Sequence, residues 1–255
     1  MEILTWVGVL LAIFVGSYVQ AVAGFAMGMI IVAVVGGLRL LDLPTLGAIV
    51  SLLTLSNVAL ALRGQTHHIH RKLIGWLALG QVPAIYLGFF LMTWLDGNSR
   101  WILELCLGLF ITIGGLSMSL RPLPWTDESG WVGAFATGVT GGLMGGMFSA
   151  SGPVLGWFMY SQPLPLTIIR ATLLASFAIT TSVRTVFVGL DGGLTTHVFG
   201  LAAAALPVVI LGTWLGRYFA PPVDEGVIKR AAYLLLLGMG VWILATVFIT
   251  NFINS

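Results

Sequence analysis

The sequence predicts an all-α integral membrane protein built from two inverted repeats, each a broken helical hairpin (re-entrant or a short two-span turn) followed by three transmembrane helices. Three observations predict it: an extreme apolar composition, two apolar blocks too long for a single crossing, and a duplication relating the two halves. Of the 255 residues, 58% are hydrophobic and 8% charged, with a mean hydropathy of +1.03, whereas a soluble domain carries about a quarter charged residues. Such a chain cannot cover its own surface with polar groups, so lipid is its main solvent. In hydrocarbon every backbone N–H and C=O needs an internal partner, which leaves helices or closed barrels. Unalternating Leu/Val/Ala/Ile runs select helices.

Eight apolar blocks follow in order: Ile3 to Gly37, Pro44 to Leu62, Leu73 to Leu95, Trp101 to Leu120, Trp131 to Tyr160, Pro165 to Gly189, Val198 to Phe219 and Ala231 to Ile249. The first and fifth run to 30 residues or more, while one crossing needs about 20. Both are interrupted near the middle, at Gln20 to Gly24 and at Gly141 to Pro153. A continuous helix is poor there, since each glycine costs about 1 kcal/mol and proline about 3. Leu4 to Val15 imitates a signal peptide but no Lys or Arg precedes it, so it is expected to stay as a membrane element.

The blocks repeat in the same order. Trp6-Val7-Gly8 recurs as Trp131-Val132-Gly133, Gly24 and Gly28 align with Gly152 and Gly156, and Pro83 to Gly88 recurs as Pro207 to Gly212. Arg100 with Leu107-Gly108 matches Arg230 with Leu237-Gly238, so the offsets stay between 124 and 130. The expected organisation is a first repeat over residues 1–120, a linker over 121–130 and a second repeat over 131–255.

Charge sets the topology. The loop Arg63 to Lys72 holds three basic residues and no acid, which places it in the cytoplasm. If every block were one span, most remaining Lys and Arg would fall outside. If the first and fifth blocks return to the side they entered, Arg63, Arg71, Lys72, Arg121, Arg170, Arg217, Lys229 and Arg230 are cytoplasmic and only Arg39 and Arg100 are outside. Each half then has an odd number of membrane elements, so the halves face opposite ways in the inner (cytoplasmic) membrane, with both termini outside. Inverted repeats of this kind mark secondary transporters with midplane sites.

The hairpin breaks are the candidate site, because irregular backbone at membrane depth is tolerated only beside protein or a watery cavity. A half-helix starting after a break presents free N–H groups and a positive dipole end, which favour an anion. The candidate binding residues are Gln20 and Gly24 in the first break, Ser149, Ser151 and Gly152 in the second, and Asn57, Thr180, Thr181, Ser182 and Arg184 on the elements after them. Aligning Gly64 with Gly189 superposes Asn57 on Ser182. Competing readings stand beside these. Glycines also serve close helix packing, and membrane serines and threonines often bond their own backbone. Arg184 either attracts the anion or snorkels to the outer headgroups. Glu104 is an ion-pair partner of Arg100 or a proton-coupling group. Cys106 reads as a small apolar side chain, and His67, His68 and His70 as a solvated loop. No phosphate loop, metal set or catalytic constellation is present, so neither an enzyme nor a cofactor is expected.

Ala23-Gly24-Phe25 with Gly28, Gly138 to Gly142 running into Ser151-Gly152-Pro153, and the paired P-x-x-x-x-G segments resemble the sulfite exporter TauE/SafE family of membrane permeases along essentially the whole chain. The first hairpin is poorer in glycine than that family's usual pattern. The resemblance implies movement of small anions such as sulfite, sulfoacetate or other organosulfonates, in agreement with the dipole argument. The expected function is therefore a secondary anion transporter working by alternating access at a midplane site. An anion channel and a membrane scaffold or assembly factor are the alternatives. Its expected partners are the anion, the bilayer and a coupling ion (H+ or Na+), and a homo-oligomer is compatible with the sequence; nucleic acid is not.

Overall fold

A computed structural model describes residues 3–119, 124–219 and 225–250. Among these the regular structure is all helical: α1 (Ile3–Ala23), α2 (Met27–Ile31) continuing into a π turn (Val32–Gly36), α3 (Leu43–Ala61), α4 (Arg71–Asn98), α5 (Arg100–Ser119), α6 (Trp131–Phe148), α7 (Gly152–Tyr160), α8 (Leu166–Leu190), α9 (Thr196–Tyr218) and α10 (Glu225–Phe248). By length and composition α3, α4, α5, α8 and α9 can each cross a membrane.

Both long blocks break and fold back. Helix α1 ends where Gly24 and Ala26 adopt left-handed backbone, φ 80° and 92°, and the Gly24 N–H closes the last turn on Gln20 O at 2.8 Å. Gly16 of α1 then lies against Met27, so the returning segment runs alongside the helix it left. Helix α6 ends the same way at Ser149, φ 56°, whose N–H bonds Gly145 O at 2.9 Å. Gly152-Pro153 opens α7, where proline's missing N–H loses nothing. Gly141 meets Leu155, and Gly145 meets Ser151. Helices α1 and α6 end at Ala23 and Phe148, 125 residues apart, the same offset as Trp6 and Trp131.

The main packing pairs are α4 with α6, α1 with α9, α5 with α10, α3 with α8 and α9, and α4 with α8. Exchanging α1–α5 for α6–α10 maps each pair onto another of them or onto itself. All of them join one half to the other, so the halves interleave around a common core.

Two polar ends bracket this core. At one, Glu104 bonds Arg39 at 2.5 Å and Arg100 at 3.5 Å, with Asp96 4.0 Å from Arg100. The pairing expected for Glu104 is present and extended by Arg39. At the other end Arg217 of α9 donates to Leu60 O and Arg63 O, both at 2.6 Å, capping α3. There His70 caps α4 through Leu73 N–H (3.2 Å) and sits 3.4 Å from Glu128, so it is a fixed joint and not a free loop residue. Of the expected linker, Trp125 and Ser129 donate backbone N–H groups to Ser161 O (2.7 Å) and Gln162 Oε1 (2.9 Å). Arg121 lies outside the described residues, as do the side chains of Lys229 and Arg230.

Candidate functional site

Polar side chains in a membrane bundle need partners, and this core holds many: Ser17, Gln20, Ser51, Thr54, Asn57, Gln81, Ser149, Ser151, Ser176, Thr180, Thr181, Arg184 and Thr213 are all buried. They gather where the two breaks meet. A Cβ on Gly28, just after the first break, would collide with Ser149 O in the second, and one on Gly152 would lie 3.7 Å from the Phe25 ring and 3.6 Å from Ala26 N. Glycine is required at position 28 by this approach.

Around the crossing lies a cavity of about 10 Å³ whose polar lining is Gln20, Thr54, Ser149, Ser151, Thr180 and Thr181. That space admits about one water, too little for a small oxyanion. Ser151 Oγ and Thr54 Oγ1 line it, are buried, and have no hydrogen-bond partner. An unpartnered buried hydroxyl costs about 1–3 kcal/mol, and here two of them face one space beside the first turn of α7. Gly152 completes the lining.

The first break is tied by two buried amides. Gln20 Nε2 donates to Asn57 Oδ1 (2.8 Å) while its Oε1 accepts from Met27 N–H (3.1 Å), tying α1 to the start of α2. Asn57 Nδ2 donates to Thr213 Oγ1 (2.6 Å) and Ser17 O (3.2 Å). Asn57 therefore touches the site only through Gln20. Gly24 lies outside the cavity lining, its α-carbon facing Arg170 of α8; its part is to make the turn.

The second break is tied to a cation. Arg184 is fully buried, which corrects the snorkelling alternative: its Nε donates to Gly146 O (2.9 Å), Nη1 to Ser51 Oγ (3.1 Å), and Nη2 approaches Met92 Sδ at 3.5 Å. Ser51 Oγ is 3.0 Å from Ser149 Oγ, and both hydroxyls reach Gly47 O at 2.8 Å. Gly47 is glycine because the guanidinium occupies the place of its side chain. Arg184 is thus one hydroxyl removed from Ser149 and does not line the cavity itself.

Thr180 and Thr181 line the cavity, and each also bonds its own helix, to Ser176 O (3.1 Å) and Phe177 O (2.7 Å). Ser182 is exposed and is removed from the site: at about 100° per residue, an α8 face carrying Thr180, Thr181 and Arg184 turns Ser182 away from the core. Sequence reasoning missed Gln81, which donates to Thr180 Oγ1 at 3.3 Å, and Thr213. A buried amide in an apolar run was the available signal for Gln81, the same signal that singled out Asn57.

A family model described as "Sulfite exporter TauE/SafE" matches residues 9–243. A protein of Cupriavidus necator named "Probable sulfite/organosulfonate exporter TauE" is 41% identical over 225 residues, 88% of each chain. One of Comamonas testosteroni named "Probable inner membrane transporter protein TsaS" is 29% identical over 178 residues, 66% of this chain and 71% of the other. No solved structure matches the chain.

Proposed function

This chain belongs to the sulfite exporter TauE/SafE family, and from that premise we propose that it carries sulfite or small organosulfonates across the cytoplasmic membrane by alternating access. The substrate anion is held where the two hairpin breaks meet. The observation that carries this is the pair of unpartnered hydroxyls, Ser151 and Thr54, facing one cavity at the head of α7. Hydroxyl and backbone N–H donors suit an oxyanion, which offers only acceptors. Arg184 adds a fixed positive charge behind Ser149, two hydrogen-bond steps away through Ser51.

Opposed halves support the alternating part. The α1–α2 hairpin opens toward the Arg39–Glu104 end and the α6–α7 hairpin toward the Arg217–His70 end, and the packing pairs exchange under the repeat. Opening at either end then needs one hairpin to move relative to the other while the crossing stays put. We place the Arg63, Arg217 and His70 end in the cytoplasm on its excess of basic loops. A carrier of this kind has no built-in direction, so the anion gradient and any coupled ion set it.

Counterflow in proteoliposomes tests the proposal. Wild-type protein loaded with sulfite or sulfoacetate should accelerate saturable entry of the labelled anion, and Gly152→Leu should abolish entry while the purified protein remains folded, because the leucine side chain fills the space against Phe25. Full activity in that variant discards the site, and non-saturable flux without exchange replaces the carrier with a channel.

A further inference from the structure

Resting on that reading, we infer that the site is built for an anion of one charge, with Arg184 as the residue that balances it. The guanidinium stays protonated at any physiological pH. Among the described residues no carboxylate lies within 4.0 Å of it and none lines the cavity. The described acids sit elsewhere: Asp42 caps α3, Asp96 and Glu104 face Arg100, Asp127 is exposed beside Thr126, Glu128 faces His70, and Asp191 ends α8. A buried cation without a counter-anion is costly unless something else neutralises it.

Among the described residues no negative charge balances it, and the place for one is defined. Hydrogen bonds of 3.1 and 3.0 Å lead from Arg184 through Ser51 to Ser149, which lines the cavity. The second cation nearby, Arg170, is only partly buried, runs past Gly24 and lies outside the cavity lining. An anion of single charge therefore makes the site neutral. A dianion leaves one uncompensated charge in a buried cavity, where desolvation penalises it. The preferred substrates are then hydrogen sulfite and monosulfonates, ahead of the sulfite dianion and of sulfoacetate with its second, carboxylate charge. Arg184 is a positioning residue here, since it acts through Ser51 and Ser149 and does not itself touch the anion.

The test uses a size-matched pair at constant pH 8: 2-hydroxyethanesulfonate, with one charge, and sulfoacetate, with two. Binding is read by thermal shift of the purified full chain, and transport by competition in counterflow. In wild type the singly charged ligand should bind at least about tenfold more tightly. Arg184→Lys should retain that preference, while Arg184→Gln should weaken the monosulfonate at least about tenfold and sulfoacetate by more, widening the gap between the two. Equal or tighter binding of sulfoacetate by wild type overturns the inference, and so does an unchanged preference in Arg184→Gln. If Arg184→Gln does not fold, the wild-type ratio decides alone. Binding and transport of neither ligand, nor of sulfite, would instead sink the anion-carrier reading beneath it.

Discussion

Two crossings, α6 on α4 and α1 on α9, change places when α1–α5 are exchanged for α6–α10, and they are held by different chemistry. On α6, Gly138, Gly142 and Gly146 form a stripe four residues apart, and a Cβ on any of them would strike the backbone of α4, as would one on Gly80 or Gly88 strike that of α6. Membrane helices lack a hydrophobic drive toward each other, so such close backbone contact is a main source of their cohesion. The equivalent positions on α1 are Ile13, Ser17 and Ala21, which cannot approach as closely. There the contact falls on Gly212 and Gly216 of α9 and is reinforced by the Gln20, Asn57 and Thr213 network. One hairpin is zipped by packing, the other pinned by buried amides. The pinned break engages its buried amides in that network, while the zipped break keeps an unpartnered hydroxyl at Ser151.

The largest expected effect attacks the zipper. Gly142→Leu places a side chain where Gln81 O and Cα lie 2.7 and 2.8 Å from the new Cβ; overpacking of this kind costs about 1–3 kcal/mol or more, and the detergent-solubilised protein should lose its folded peak in size-exclusion chromatography. Next comes the pin. Asn57→Leu strands the Gln20 amide in hydrocarbon at a cost of about 1–3 kcal/mol, and a double-mutant cycle with Gln20→Leu in thermal unfolding should return a coupling of about 1 kcal/mol. Additive effects would mean the amides do not hold the hairpin together.

Ser151→Ala separates function from stability. It removes no hydrogen bond, so stability should stay within about 0.5 kcal/mol, while anion affinity falls about tenfold, near 1.4 kcal/mol. The smallest effect is expected for Ser182→Ala on the outer face of α8: transport and stability both unchanged within about 0.5 kcal/mol. A transport defect there would return Ser182 to the site.

Much of this was legible in the sequence for definite reasons. The breaks announce themselves because glycine and proline inside 30-residue apolar blocks have few other uses, and the grouping of Arg39 with Arg100, and of Arg63 with Arg217, follows from counting basic loops. Gln20, Ser149, Ser151 and Gly152 come together because they flank those breaks. What was not legible is which face of each helix looks inward. In helices apolar all round, no polar stripe marks the outside, so Ser182 was indistinguishable from Thr181, and Gln81 and Thr213 passed as isolated polar residues in their runs. The fate of Arg184 was equally hidden, since its burial depends on a carbonyl of α6 and a glycine of α3, neither near it in the chain.

The contact between the two breaks is the central claim, and one cross-link tests it most directly. The Cβ of Phe25 lies 3.9 Å from the position a Gly152 Cβ would take, close to the ~3.8 Å typical of a disulfide. In a Cys106→Ala background carrying a protease site within residues 124–130, Phe25→Cys with Gly152→Cys should join the two fragments on mild oxidation and arrest counterflow, and saturating anion should slow the reaction. Fragments that separate completely after oxidation, although each cysteine alone can be labelled, would contradict the account.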